Sequence, residues 1–163
     1  MKKRSIALLL LLVLLTGCGA KTEEAPWQTA YRETGKYLQE QDTLSAGSVG
    51  GEWSVIGLSR AGLLPDEAAQ SYAQAAEDYV KQADSGRLDR SKSTENSRTI
   101  LGLTAAGYNA ADVAGVDLTS GLSDMKYLRI QGLNGPIWAL IALDCHSYDI
   151  PQCAEGGEQT TRE

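Results

Sequence analysis

Hydrophobic positions follow two patterns along this chain. In the first they recur every three or four residues. Trp27, Tyr31, Thr34 and Leu38 do so between Trp27 and Gln41, with Arg32, Glu33, Lys36 and Glu40 elsewhere. Ala68, Tyr72, Ala76, Tyr79, Val80 and Ala83 do so after Pro65-Asp66-Glu67. That spacing predicts amphipathic helices with one covered face. Pro suits the first helical position, and the acids suit the positive end of the helix dipole. In the second pattern three short runs are apolar nearly all round: Trp53 to Leu58, Ile100 to Ala106 and Ile137 to Leu143. These runs are rich in Ala, Leu and Gly rather than Val and Thr, which favours helix over strand. Gly135-Pro136 makes a helix start, and Gly62 and Gly107 stand where a helix end wants a positive φ. A helix without a polar face must be covered on every side. Two shorter helices are expected over 117–131.

The three apolar runs form an internal repeat. Leu58-Ser59-Arg60-Ala61-Gly62-Leu63 aligns with Leu103-Thr104-Ala105-Ala106-Gly107-Tyr108, and that with Leu143-Asp144-Cys145-His146-Ser147-Tyr148. The offsets are 45 and 40 residues. Such a period indicates repeated helix pairs, none able to bury its own face alone. An amphipathic helix followed by an all-apolar one, repeated, predicts two concentric layers with the apolar helices inside.

The first residues concern location. Met1-Lys2-Lys3-Arg4 is followed by ten unbroken apolar residues, Ile6 to Leu15. That run is shorter than the roughly 20 residues a spanning helix needs and fits the h-region of a secretory signal. Leu15-Thr16-Gly17-Cys18 resembles the lipobox of bacterial lipoproteins. The resemblance implies a signal peptide over 1–17, a diacylglyceryl thioether on Cys18, a tether over 18–26 and a domain over 27–163. It places the domain in a bacterial cell envelope, on the extracytoplasmic side of a membrane. After the leader, 12 basic residues stand against 21 acidic, a net of −9. So acidic a surface repels phosphate, which argues against nucleic acid as a partner. One His and three Cys leave no material for a histidine-rich metal site or a disulfide-dense scaffold.

The alternating helix pattern resembles the α/α-toroid superfamily of terpenoid cyclases and protein prenyltransferases. Tyr37-Leu38-Gln39-Glu40-Gln41 followed by Gly50-Gly51-Glu52-Trp53 looks like a loose copy of its Gln…Gly-x-Trp repeat, with a longer gap. Gly51-Glu52-Trp53-Ser54, Ser93 to Leu101 and Asn134 to Asp144 look like blocks from secreted bacterial surface proteins with this repeat. The resemblance spans about residues 35–163. It implies an all-α fold of helical-hairpin repeats forming part of a toroid, an incomplete ring. Thr160-Thr161-Arg162-Glu163 matches a helix capping box at the very end, so the chain reads as a fragment whose next helix is missing.

The enzymes of that superfamily need features this chain lacks. No Asp-x-Asp-Asp motif is present, and Asp112, Asp117 and Asp124 are too scattered for a magnesium cluster, which suits capping. Asp144-Cys145-His146 invites a zinc reading, but consecutive helical residues point about 100° apart and cannot share one ion. Gly57 to Gly62 has one residue too many for a nucleophile elbow. No cofactor is expected. The toroid resemblance implies that inner-helix ends line a central cavity. Glu52, Trp53, Glu95, Asn96, Arg98, Asn134 and Trp138 are then candidate ligand-binding residues, for an unidentified small molecule or protein. Core packing of the two tryptophans and an internal Glu95–Arg98 pair are the structural alternatives. Cys145 and Cys153 could close a small disulfide loop around Pro151, or remain two thiols. The leading expectation is non-catalytic binding at the envelope. The alternative is an envelope enzyme of the cyclase or prenyltransferase type, with its catalytic residues in missing repeats.

Overall fold

The computed structural model describes residues 24–41, 44–83 and 86–162. The signal peptide, Cys18 and the tether as far as Glu23 lie outside the described residues, as does Glu163 of the capping box. The described residues are all-α, with no strand among them beyond the isolated bridges Val113–Val116 and Asp124–Gln159.

The chain divides into two compact units, residues 1–32 and 33–163, and α1 (Pro26–Gln39) begins in one and ends in the other. In the first unit Glu24 pairs with Arg32, and the Ala25 amide donates to Gln28 Oε1 at 2.9 Å. Trp27 is 67% exposed and Tyr31 and Thr34 are also exposed, so the periodic stripe of α1 does not mark a covered face. In the second unit the buried residue of α1 is Gly35, where a Cβ would collide with the Leu63 side chain.

The second unit continues with α2 (Val49–Arg60), α3 (Asp66–Val80) and α4 (Thr94–Ala105). A 3-10 turn at Leu118–Leu122, α5 (Met125–Leu128), a second 3-10 turn at Arg129–Gln131 and α6 (Asn134–Asp144) complete it. The three apolar runs are thus helices, each longer at its start than the run itself. Ser48 explains this for α2: its Oγ accepts from the Gly51 amide at 3.0 Å and satisfies one of the helix's orphan donors. Pro65 sits one residue ahead of α3 rather than inside it, and Asp66 and Glu67 fill the first turn.

The stripe of α3 buries Tyr72, Ala73, Ala76 and Val80. Helix α4 is central: α2, α6, α3 and the Leu118–Leu122 turn all pack against it. It buries Ile100 and Leu103, each burial contributing about 1.5–3 kcal/mol. Gly102 admits the buried Tyr72 ring, whose hydroxyl would collide with a Cβ at that position.

The three segments aligned in the sequence end their helices in the same way. The Leu63 amide bonds Leu58 O at 2.9 Å and the Gly62 amide bonds Ser59 O at 3.0 Å. Tyr108 to Leu103 and Gly107 to Thr104 repeat that pair of bonds at 2.9 and 3.1 Å, and Tyr148 to Leu143 and Ser147 to Asp144 at 2.8 and 3.3 Å. All three are Schellman closures around a left-handed residue. The third uses Ser147, at φ 53°, where the others use Gly62 and Gly107.

The expectation that α6 is covered all round is corrected. Ala139, Ala142 and Leu143 are buried, but Ile137, Leu140 and Ile141 are 52%, 41% and 43% exposed, and Trp138 is half-buried. Nor does a helix begin at Thr160 among the described residues. Residues 158–160 instead lie along 123–125, with Glu158 O accepting from the Met125 amide and Thr160 N donating to Ser123 O.

Candidate functional site

The inner-helix residues singled out from the sequence separate into two groups. Glu52, Glu95, Asn96 and Arg98 turn inward. Glu52 lies in the first turn of α2, fully buried, and takes the Gly47 amide on Oε1 at 2.6 Å. Arg98, one turn into α4, donates from Nε to Glu52 Oε2 at 3.0 Å and from Nη2 to Glu95 Oε2 at 2.6 Å. The internal Glu95–Arg98 pair is therefore present, and it extends across helices to Glu52. Burial raises the Glu52 pKa above its ordinary value, although the Arg98 hydrogen bond and charge pull it down.

Asn96 is a clamp. Its Nδ2 donates to Gly86 O and, at 2.9 Å, to Leu118 O, while Oδ1 accepts from the Leu88 amide at 2.9 Å. One buried amide side chain thus fastens two loops to α4, and no exposed edge remains for a ligand.

Trp53, Trp138 and Asn134 remain near the surface. The Trp53 and Trp138 ring centroids stand 5.2 Å apart with planes tilted by 56°, a favourable aromatic arrangement. Trp53 keeps 40% of its surface in water, so it is not a core side chain. Asn134 is exposed at the start of α6. Positions 53, 98 and 138 are equivalent under the repeat offsets, so the central copy carries Arg where its neighbours carry Trp. That substitution was the available signal for the Glu52–Arg98 link, which pattern and spacing alone did not reveal.

The other chemistry-bearing residues disperse. Asp144 accepts from Arg162 Nε at 3.0 Å, Cys145 Sγ donates to Ala142 O at 3.1 Å, and the His146 ring rests 5.3 Å from that of Tyr148. Cys145 and Cys153 are both free thiols, so the loop disulfide is not formed. Cys145 is exposed at the C-terminal cap of α6, while the Cys153 amide is held by Gln159 Oε1 at 2.9 Å. Asp112, Asp117 and Asp124 each cap a turn, accepting from the amides of Gly115, Thr119 and Lys126. Among the described residues no three His, Cys, Asp or Glu side chains are placed to share a metal ion. A cleft of about 560 Å³ lies between Arg87, Lys126, Tyr127 and the 153–157 loop. The Arg87–Asp124 ion pair, at 2.9 Å, lines it, with the Arg87 guanidinium 4.3 Å above the Tyr127 ring.

The arrangement offers apolar contact through two paired indoles, with a buried ion-pair network at the starts of α2 and α4. No family model, curated protein or solved structure matches the chain.

Proposed function

We propose that this chain is a lipid-anchored binding domain of a bacterial envelope, built as part of an α/α toroid. It holds an apolar ligand or partner side chain against Trp53 and Trp138 without chemical turnover. The observation that carries the reading is the indole pair. Two tryptophans from separate repeats converge, and one retains 40% exposure although each ring would gain from full burial. The buried Glu52–Arg98–Glu95 network supports it by fixing the helix starts that present the rings. The Leu15-Thr16-Gly17-Cys18 sequence supports the anchor, and two acyl chains suffice for stable attachment. Among the described residues no helix is long and apolar enough to cross a membrane.

The test is to extract the full chain from bacterial membranes in mild detergent and analyse it by mass spectrometry. A chain starting at diacylglyceryl Cys18, with a small molecule that Trp138→Ala no longer retains, is the expected result. A chain that keeps Met1 would refute the anchor. Identical small-molecule content in both proteins, with no partner cross-linked from position 53, would refute the binding surface.

A further inference from the structure

Trp27 and Tyr31 stand four residues apart on α1, so their side chains lie about 40° apart around the helix and one turn apart along it. Trp27 is 67% exposed and Tyr31 48%, and Ala30 beside them is exposed too. Thr29 and Arg32 project from the far side of the same turns, Arg32 paired with Glu24. Single exposed hydrophobes are ordinary, but a Trp and a Tyr side by side form the pattern that collects where acyl chains meet water, because each joins an apolar ring to a polar atom. The chain runs from Cys18 to Pro26 in eight steps, at most about 28 Å when fully extended. Residues 24–39 balance Glu24 and Glu33 against Arg32 and Lys36, whereas residues 40–163 carry 9 basic and 18 acidic side chains. An anionic headgroup layer therefore repels that later part of the chain and leaves α1 free to approach.

We propose that the start of α1 lies in the membrane surface, with Trp27 and Tyr31 at the boundary between headgroups and acyl chains and Thr29 and Arg32 toward water. This rests on the reading that Cys18 carries the lipid anchor. The anchor holds α1 within the tether's length of the bilayer, an effective concentration in the mM range. Two aromatic side chains then suffice where an untethered helix needs a longer apolar face. The polar atoms suit that depth, since the Trp27 indole N–H and the Tyr31 hydroxyl reach headgroup oxygens while the rings leave water. The helix thus adds a non-covalent contact beside the covalent one, and the chain leaves the anchor along the membrane plane.

The test uses the full chain made in bacteria, extracted in mild detergent and inserted into phosphatidylcholine–phosphatidylglycerol vesicles with brominated acyl chains, which quench the indoles they touch. Its intact mass is read first. In a chain carrying diacylglyceryl Cys18, the brominated lipid should quench part of the tryptophan emission, and acrylamide in the water should not reach that part. Trp27→Ser should lose it. Adding Thr29→Trp to Trp27→Ser moves the indole about 200° round the helix, where acrylamide should quench it and the lipid should not. A lipidated chain whose Trp27 emission is quenched by acrylamide alone would overturn the proposal and leave the anchor standing. So would lipid quenching that persists undiminished in Trp27→Ser, which puts another indole in the bilayer. Trp27 emission reached by neither quencher would overturn it as well, giving the stripe to a protein partner. A chain without lipid on Cys18 would overturn the anchor itself, and the membrane contact of α1 with it.

Discussion

Arg98 of α4 reaches back to Glu52 of α2, Nε to Oε2 at 3.0 Å, and so ties the two helices together through a buried ion pair. Glu95 takes the other side of the guanidinium, which leaves the cation bracketed by two carboxylates. Removing the shared cation strands Glu52 in the interior. Arg98→Met should therefore cost about 3–5 kcal/mol, whereas Glu52→Gln, which keeps an acceptor for Arg98, should cost much less. Urea unfolding of both variants checks the order, and equal losses would contradict it.

The pH dependence of stability carries two opposite signs. Burial opposes ionisation of Asp124, but the Glu158 and Lys126 amides and the Arg87 guanidinium outweigh it and lower its pKa below the ordinary 3.8. Its contribution is complete above pH 3.8 and disappears as pH falls through the lower folded value. Glu52 is raised above 4.5, so its contribution declines as pH rises through that value toward the folded one. Asp124→Asn should flatten the acid limb of a melting-temperature profile. Glu52→Gln should remove a decline just above pH 4.5 and leave the acid limb in place.

Neighbours in one apolar run should differ sharply. Leu143 is buried and Ile141 is not, although both belong to the same run of α6. Leu143→Ala should cost about 2–5 kcal/mol by leaving a cavity. Ile141→Ala should change the stability of a single chain by about 0.5 kcal/mol or less. Denaturation at low protein concentration separates the two.

Ser147 occupies a left-handed conformation that Gly62 and Gly107 hold without a Cβ penalty. Ser147→Gly should raise stability by up to about 1 kcal/mol, and Gly107→Ala should lower it by about 1–2 kcal/mol. Opposite shifts in thermal midpoint are the expected readout.

Helix positions, the centre of the α3 stripe and the first two helix closures were legible in the sequence because each follows from local spacing. The Leu…Gly pairs at 58 and 62 and at 103 and 107 encode their own hydrogen bonds. What covers a helix is not local. Ile137 to Leu143 reads as apolar all round, yet only half of that surface finds a neighbour. Trp27 and Tyr31 keep helical spacing and remain in water. Glu52 and Asn96 looked like ligand contacts because they are polar at helix starts, but each has a partner more than twenty residues away, Arg98 for Glu52 and Leu118 for Asn96.

The three closures have a consequence for how such a chain can diversify. Each of the three helices is locked at its end by a Leu, a left-handed residue four positions on, and a hydrophobe after that. Once those ends are locked, the side chains between them are released from the task of ending the helix. The position six residues before the closing Leu accordingly holds a buried acid, a small buried hydroxyl and an exposed aliphatic in turn: Glu52, Ser97 and Ile137. What the three helices share is the clasp, so helices that end in the same turn can carry unlike surfaces along their faces.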